Sequence, residues 1–196
     1  MRDPIVQAGD PVLRLKAKLV AHKDIPSLKL KRIVSRMRAI LKKEEFGVAL
    51  AAPHVGEPLR LFIVSGLAFD SASQEPSLRR DVHDPNSSAK APASPDKVFI
   101  NPELTRLSKK TAEMSEGCLS VRGKYGTVMR HEKATIKALD EKGKPFIYHG
   151  AGLIANIFQH ECDHLDGVLY TDKAVKLEAD GDLKSAREKL KEKHGV

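Results

Sequence analysis

Tryptophan is absent, and only three tyrosines and six phenylalanines occur in 196 residues. A surface that stacks successive nucleic-acid bases needs a run of aromatic side chains, so none is expected here. Cysteine is nearly as scarce, Cys118 and Cys162 being the only two. That argues against a small domain stapled by disulfides and favours a metal-ligand or buried-thiol role for each. No apolar run approaches the roughly 18–20 residues that span a bilayer, so no membrane partner is expected. The opening stretch, MRDPIVQAGDPVLRLK, has no apolar core of the secretory kind, and a cytoplasmic location is the corresponding expectation. Repeats of fixed period are also missing, which argues against a solenoid or propeller.

What is there has an ordinary globular balance, 41% hydrophobic and 31% charged. The length suits one domain, residues 1–196, expected to act as a monomer. The formal charge of +8 is scattered and reads chiefly as a solvated basic surface. Residues 28–43 place Leu30, Ile33, Val34, Met37, Ile40 and Leu41 at helical spacing, with Lys and Arg on the other face and Ser27 as N-cap. Residues 60–65 (RLFIVS) read as a buried strand and 98–101 as the start of another. Between them, 69–97 is rich in Pro, Ser and Ala and poor in large apolar side chains, which predicts a long exposed loop. Residues 133–139 and 145–149 flank a turn containing Gly143 and predict a hairpin. Residues 152–165 follow as a helix stopped at Gly167, and 182–193 predict a charged C-terminal helix. The expected fold class is α+β, with small antiparallel or mixed sheets packed around a central helix.

That central helix carries HECDH at 160–164, which fits His-Glu-x-x-His. Four residues turn a helix by about 400°, so His160 and His164 project from one face and can share a metal ion. Glu161 is close enough to take a proton from a water on that metal, whose pKa falls from about 16 to about 7. The pattern therefore points to hydrolysis. A catalytic site needs a third protein ligand and an open position. The zinc-peptidase extension of the motif has its glycine in Gly167, but Tyr170 stands where the third histidine belongs. A glutamate from a later helix is the other peptidase solution, and Glu188 is formally available among solvated charges. Cys118, a polar-flanked thiol beside Gly117, is the better third donor and as thiolate completes a Cys-His-His site. Such a site accepts Zn2+, Fe2+, Ni2+ or Co2+. Cys162 falls on a different helix face and is expected to fill the core.

Three segments then form one pattern: GVALAAPH at 47–54, EGCLS at 116–120 and QHECDH at 159–164. In kind and order they resemble the three signature motifs of peptide deformylases, and the opening VQAGDPVLR resembles that family's N-terminal segment. The resemblance implies that Cys118, His160 and His164 bind one divalent ion, Fe2+ being usual in the family, and that Glu161 is the general base and acid. It implies removal of the formyl group from N-formylmethionyl peptides. The Leu119 backbone N–H would help to hold the oxyanion, and Gly47, Val48 and Ala49 would border the peptide groove. Glu116 and Asp163 are expected behind the ligands. The 182–193 helix resembles the tail that some members dock on ribosomal RNA, which makes the ribosome an expected partner.

The departures are as informative. The family's first motif usually has glycine at Ala49 and glutamine at His54. That glutamine donates its amide to the formyl oxygen, and an imidazole N–H in the right tautomer can do the same. Ala49 adds a methyl group beside the groove. After EGCLS the usual proline is replaced by Arg122, expected either to contact a substrate carbonyl or to be solvated, and Tyr125 stands where many members carry arginine. Two other functions stay open at this point: a metallopeptidase, and a homologue that binds nascent chains without turnover.

Overall fold

The apolar run Leu61–Val64 forms a strand, β2, whose four residues are all buried. Its successive side chains point to opposite faces of a sheet, and a helix covers each face. Leu61 and Ile63 join Leu50, Val98 and Ile100 against Ile33, Met37 and Leu41 of the amphipathic helix α1, Leu28–Leu41. Phe62 and Val64 join Ala49, Ala51 and Phe99 on the other face, against Ile154, Ala155, Phe158 and Leu165 of the helix α3, Gly152–Leu165. A strand buried on both sides cannot alternate in polarity, which is why RLFIVS is so uniformly apolar. These relations come from a computed structural model that describes residues 3–44, 47–73 and 94–179.

The sheet has five strands in the order β1-β2-β3-β6-β7, with β1 at Ala49–Ala51, β3 at Lys97–Leu107, β6 at Lys133–Leu139 and β7 at Pro145–Ala151. Every neighbouring pair is antiparallel. The predicted hairpin is β6–β7, paired from Lys133–Ala151 to Leu139–Pro145, with Gly143 at φ 78° in its turn. A second antiparallel sheet, β4-β5-β8, comprises Thr111–Cys118, Val121–His131 and Lys176–Ala179. The fold is α+β, with small antiparallel sheets around the helix α3. No helix among the described residues is long and apolar enough to cross a membrane.

Several boundaries differ from the sequence reading. α1 keeps its Ser27 cap, whose Oγ accepts the Leu30 N–H at 3.2 Å, but ends at Leu41 rather than 43. The segment 69–97 is not a loop throughout. Its first residues belong to the helix α2, Gly66–Ser73, and Lys97 already belongs to β3. Phe69 anchors that helix with its ring centroid 5.5 Å from that of Tyr148, and Asp70 accepts a hydrogen bond from the Ser94 hydroxyl at 2.6 Å. Residues 74–93 lie outside the described residues, as do the 182–193 helix and Glu188. β3 continues well past 101 through an irregular register, where Asn101 takes φ 50° and its amide pairs with the N–H and C=O of Val20, both at 2.8 Å.

Candidate metal centre

Local packing fixes α3 before any metal is considered. The Gln159 amide accepts the His131 N–H at 3.0 Å and donates to the His131 carbonyl at 2.9 Å, which joins the helix to β5. Gly150 of β7 lies so close beneath that an added Cβ would meet Ile154, Ala155 and Phe158 at 2.9–3.0 Å. Just beyond the helix, Arg60 pairs with Asp166 at 2.7 Å. Cys118 comes from the other sheet. It is the last residue of β4, where an irregular register between Gly117 and Cys118 ends regular pairing with β5.

The two elements bring the predicted donors together. His164 Nε2 lies 3.3 Å from Cys118 Sγ and 3.0 Å from His160 Nε2. Neighbouring donors around a tetrahedral ion with bonds of about 2.0–2.3 Å stand roughly 3.3–3.7 Å apart, so the trio fits a single ion with little movement. His54 stands beside them, its Nε2 4.0 Å from Cys118 Sγ, and donor atoms of His54, Cys118 and His164 all lie within 4.8 Å of one another. The Ala51 N–H, however, donates to His54 Nδ1 at 3.3 Å. With Nδ1 accepting, a neutral His54 ring carries its proton on Nε2 and offers the site an N–H rather than a lone pair.

Electrostatics favour this arrangement. Burial alone would push the Cys118 thiol up, but the neighbouring His164 and His54 imidazoles and hydrogen bonding with His160 and His164 bring it well below its ordinary value, towards the thiolate a metal needs. Burial pushes His164 down to about 4, so at neutral pH it has a free lone pair. His160 goes the other way. Burial disfavours its charge, yet hydrogen bonds to Cys118 and Glu116 raise it to about 10, so an entering cation must replace its Nε2 proton. Its Nδ1–H donates to Glu116 Oε2 at 2.8 Å, the outer contact that orients a ligating imidazole. Glu116 is gripped in turn by Arg130, whose Nε and Nη2 donate to its two oxygens at 2.6 and 2.9 Å. A third Arg130 N–H reaches Asp163 at 2.7 Å, and Lys173 meets the other oxygen of Asp163 at 2.7 Å. Burial would raise the Glu116 carboxyl, but Arg130 and His160 hold it down at about 2. Glu161 has no such grip. It is buried, its Oε2 has no partner among the described residues, and burial raises its proton affinity against the pull of His54 and His160.

A cleft of about 680 Å³ opens over the cluster, lined among others by Gly47, Val48, Ala49, His54, Cys118, Leu119, Arg122, His160 and Glu161. His164 lies beneath, 1% exposed. The Arg122 guanidinium is paired with Asp3 at 3.0 Å and Glu44 at 3.1 Å. Tyr170 is buried, and its hydroxyl donates to the Lys124 carbonyl at 2.9 Å, so it does not serve as the third peptidase ligand. Cys162 sits in the core between α3 and the sheet, its thiol pushed up to about 12 by burial. Sequence reasoning missed Arg130 and Asn156. For Arg130 the signal was present: Gly126, Val128 and Arg130 share the inward face of β5, and a cation there requires a buried partner. Asn156 lines the cleft from α3.

Comparison with known proteins agrees with this geometry. The family model described as polypeptide deformylase matches residues 2–180. Peptide deformylase 1A, chloroplastic, of Solanum lycopersicum is 36% identical over 86% of this chain, and the chain spans only 58% of that protein's length. The peptide deformylase of Dictyoglomus turgidum is 36% identical over 88% of this chain and 92% of its own length. Among solved structures, a Met-Ala-Ser bound class I type b peptide deformylase from Acinetobacter baumannii superposes with a TM-score of 0.70 at 30% identity, over 87% of this chain and 96% of that one. The peptide deformylase of Thermotoga maritima gives 0.68 at 29%, over 88% and 97%. With the three motifs assembled around one donor cluster and a family model matched over nearly its whole length, this chain belongs to the peptide deformylase family.

Proposed function

We propose that the protein is a metal-dependent amidase that removes the formyl group from N-formylmethionyl peptides and releases formate. The observation that carries the reading is the convergence of Cys118, His160 and His164 on one point, with Glu161, whose Oε2 has no partner among the described residues, beside them in the cleft. These three side chains would hold one divalent ion, Fe2+ in the cell, with Zn2+, Ni2+ or Co2+ suited to the same donors. When bound, the ion supplies the Lewis acidity that makes water a nucleophile near neutral pH.

The remaining work falls to the chain itself. Glu161 takes a proton from the attacking water and returns it to the amine nitrogen as the C–N bond breaks. The His54 Nε2–H and the Leu119 backbone N–H donate to the formyl oxygen as negative charge grows there. Gly47, Val48 and Ala49 border the substrate backbone, the Ala49 methyl narrowing the groove. Arg122, steadied by Asp3 and Glu44, stands where a later peptide carbonyl passes. The peptide bound to the Acinetobacter relative supports this class of substrate. A cytoplasmic location, action as a monomer on new chains and a contact of residues 182–193 with the ribosome complete this reading.

Formate release from formyl-Met-Ala-Ser tests the role of His54. His54→Gln, which restores an amide donor, is expected to keep activity. His54→Ala is expected to lose on the order of 10²–10³ in rate while retaining its metal. An alanine variant as active as the wild type would remove His54 from the oxyanion site, and loss of the metal would make it a ligand.

A further inference from the structure

The two N–H groups assigned to the formyl oxygen come from separate parts of the fold. His54 sits in the short helical turn Ala52–Val55 that follows β1, and Leu119 in the turn 119–120 between β4 and β5. The N-terminal segment 3–8 lies across both. The Val6 N–H donates to the His54 carbonyl at 2.7 Å, and the Ala8 N–H donates to the Ser120 carbonyl at 2.7 Å. Between these two bonds the Gln7 amide Nε2 donates to the Leu119 carbonyl at 3.2 Å and to the Ile5 carbonyl at 3.1 Å, with the Asp3 carboxylate 3.4 Å away. Ile5 is buried in the core that also holds Val55 and that Leu119 packs against, so the segment is anchored beside both turns.

We infer that Gln7 is a positioning residue for the reaction: by holding the Leu119 carbonyl to the segment that also holds His54, its amide fixes the Leu119 N–H relative to the His54 N–H. The inference rests on the deformylase reading of the site. The peptide planes on either side of Leu119 are rigid and share its Cα. With the carbonyl plane tied to Gln7 and the next one tied to Ala8, the plane that carries the Leu119 N–H can turn only about the two dihedrals of Leu119 itself. Donors to a growing negative charge are effective when they are already in place, and a shift of about 1 Å near a reacting centre can cost about 10²-fold in rate. The hydrogen-bond partners of the Gln7 amide include none of Cys118, His160 and His164, so its effect falls on the oxyanion donors and not on metal binding.

The test measures kcat and KM for formate release from formyl-Met-Ala-Ser in the wild type, Gln7→Met and Gln7→Asn, with kcat counted per bound metal ion on the same sample. Methionine matches glutamine in length but has no donor, and asparagine keeps the amide but is one methylene too short to reach Leu119. Two variants keep the outcome from depending on the folding of one. In both, kcat per bound metal is expected to fall on the order of tenfold, with KM within about twofold of the wild type and metal content unchanged. A side chain that only supported the fold would lower yield or metal content and leave the rate per loaded site as it was. So a kcat per bound metal within about twofold of the wild type, or failure of both variants to hold metal, overturns the role of Gln7 and leaves the deformylase reading standing. A metal-filled wild type that releases no formate overturns the deformylase reading itself, and this inference with it.

Discussion

At Glu161 burial raises the carboxyl's hold on its proton, while His54 and His160 pull the other way. A carboxyl whose proton affinity is raised in this way is suited both to take a proton and to return it. Glu161→Gln keeps the shape and removes the proton transfer. It is expected to bind metal normally and to lose formate release by a factor of about 10²–10⁴, with metal content and rate read on the same sample. Arg130 acts through other residues. Replacing it with methionine leaves Glu116 buried without its main partner, and urea unfolding should show a loss of about 3–5 kcal/mol. Glu116 also sets a pH dependence. An unfolded glutamate titrates near 4.3, so a folded carboxyl at about 2 binds its proton less tightly. The stability it contributes is in place above about pH 4.3 and is lost as pH falls through about 2. The slope of unfolding free energy over that window should be shallower in Arg130→Met than in the wild type, and equal slopes would contradict the ion pair's role.

Gln159, His160, Glu161 and His164 all ride on α3, so the helix's ends matter to the centre. Gly167 follows it with φ 77°, and a Cβ there would meet the Arg14 carbonyl oxygen at 2.6 Å. Gly167→Ala combines an unfavourable conformation with a backbone clash. It is expected to lower stability by about 1–3 kcal/mol in chemical denaturation and to weaken metal retention against a chelator. α3, α1 and the β6–β7 hairpin were legible in the sequence because their apolar faces follow a regular period and glycine marks their turns or ends. β4 and β5 were not. Their inward positions include Glu116 and Arg130, so the polar pairs that support the metal centre erase the alternation that announces a strand. α2 was hidden for a different reason: Phe69 was averaged into a long Pro- and Ser-rich stretch.

Across the whole molecule, the site joins a turn after β1, the end of β4 in one sheet, and a helix packed on the other. Residue types and motif order nominated Cys118, His160 and His164, which the fold brings together, and the residues expected to meet substrate line the cleft. What a one-dimensional pattern lacks is the competition between His54 and His160 beside Cys118. That depends on the Ala51 N–H, which places the His54 proton, and on Glu116, which orients His160. The most direct test of the account is to add Fe2+ or Ni2+ anaerobically to metal-free protein and follow formate release from formyl-Met-Ala-Ser against bound metal per chain. Activity is expected to rise in proportion to bound metal up to a single ion per chain. A chain filled with one ion that releases no formate would contradict it.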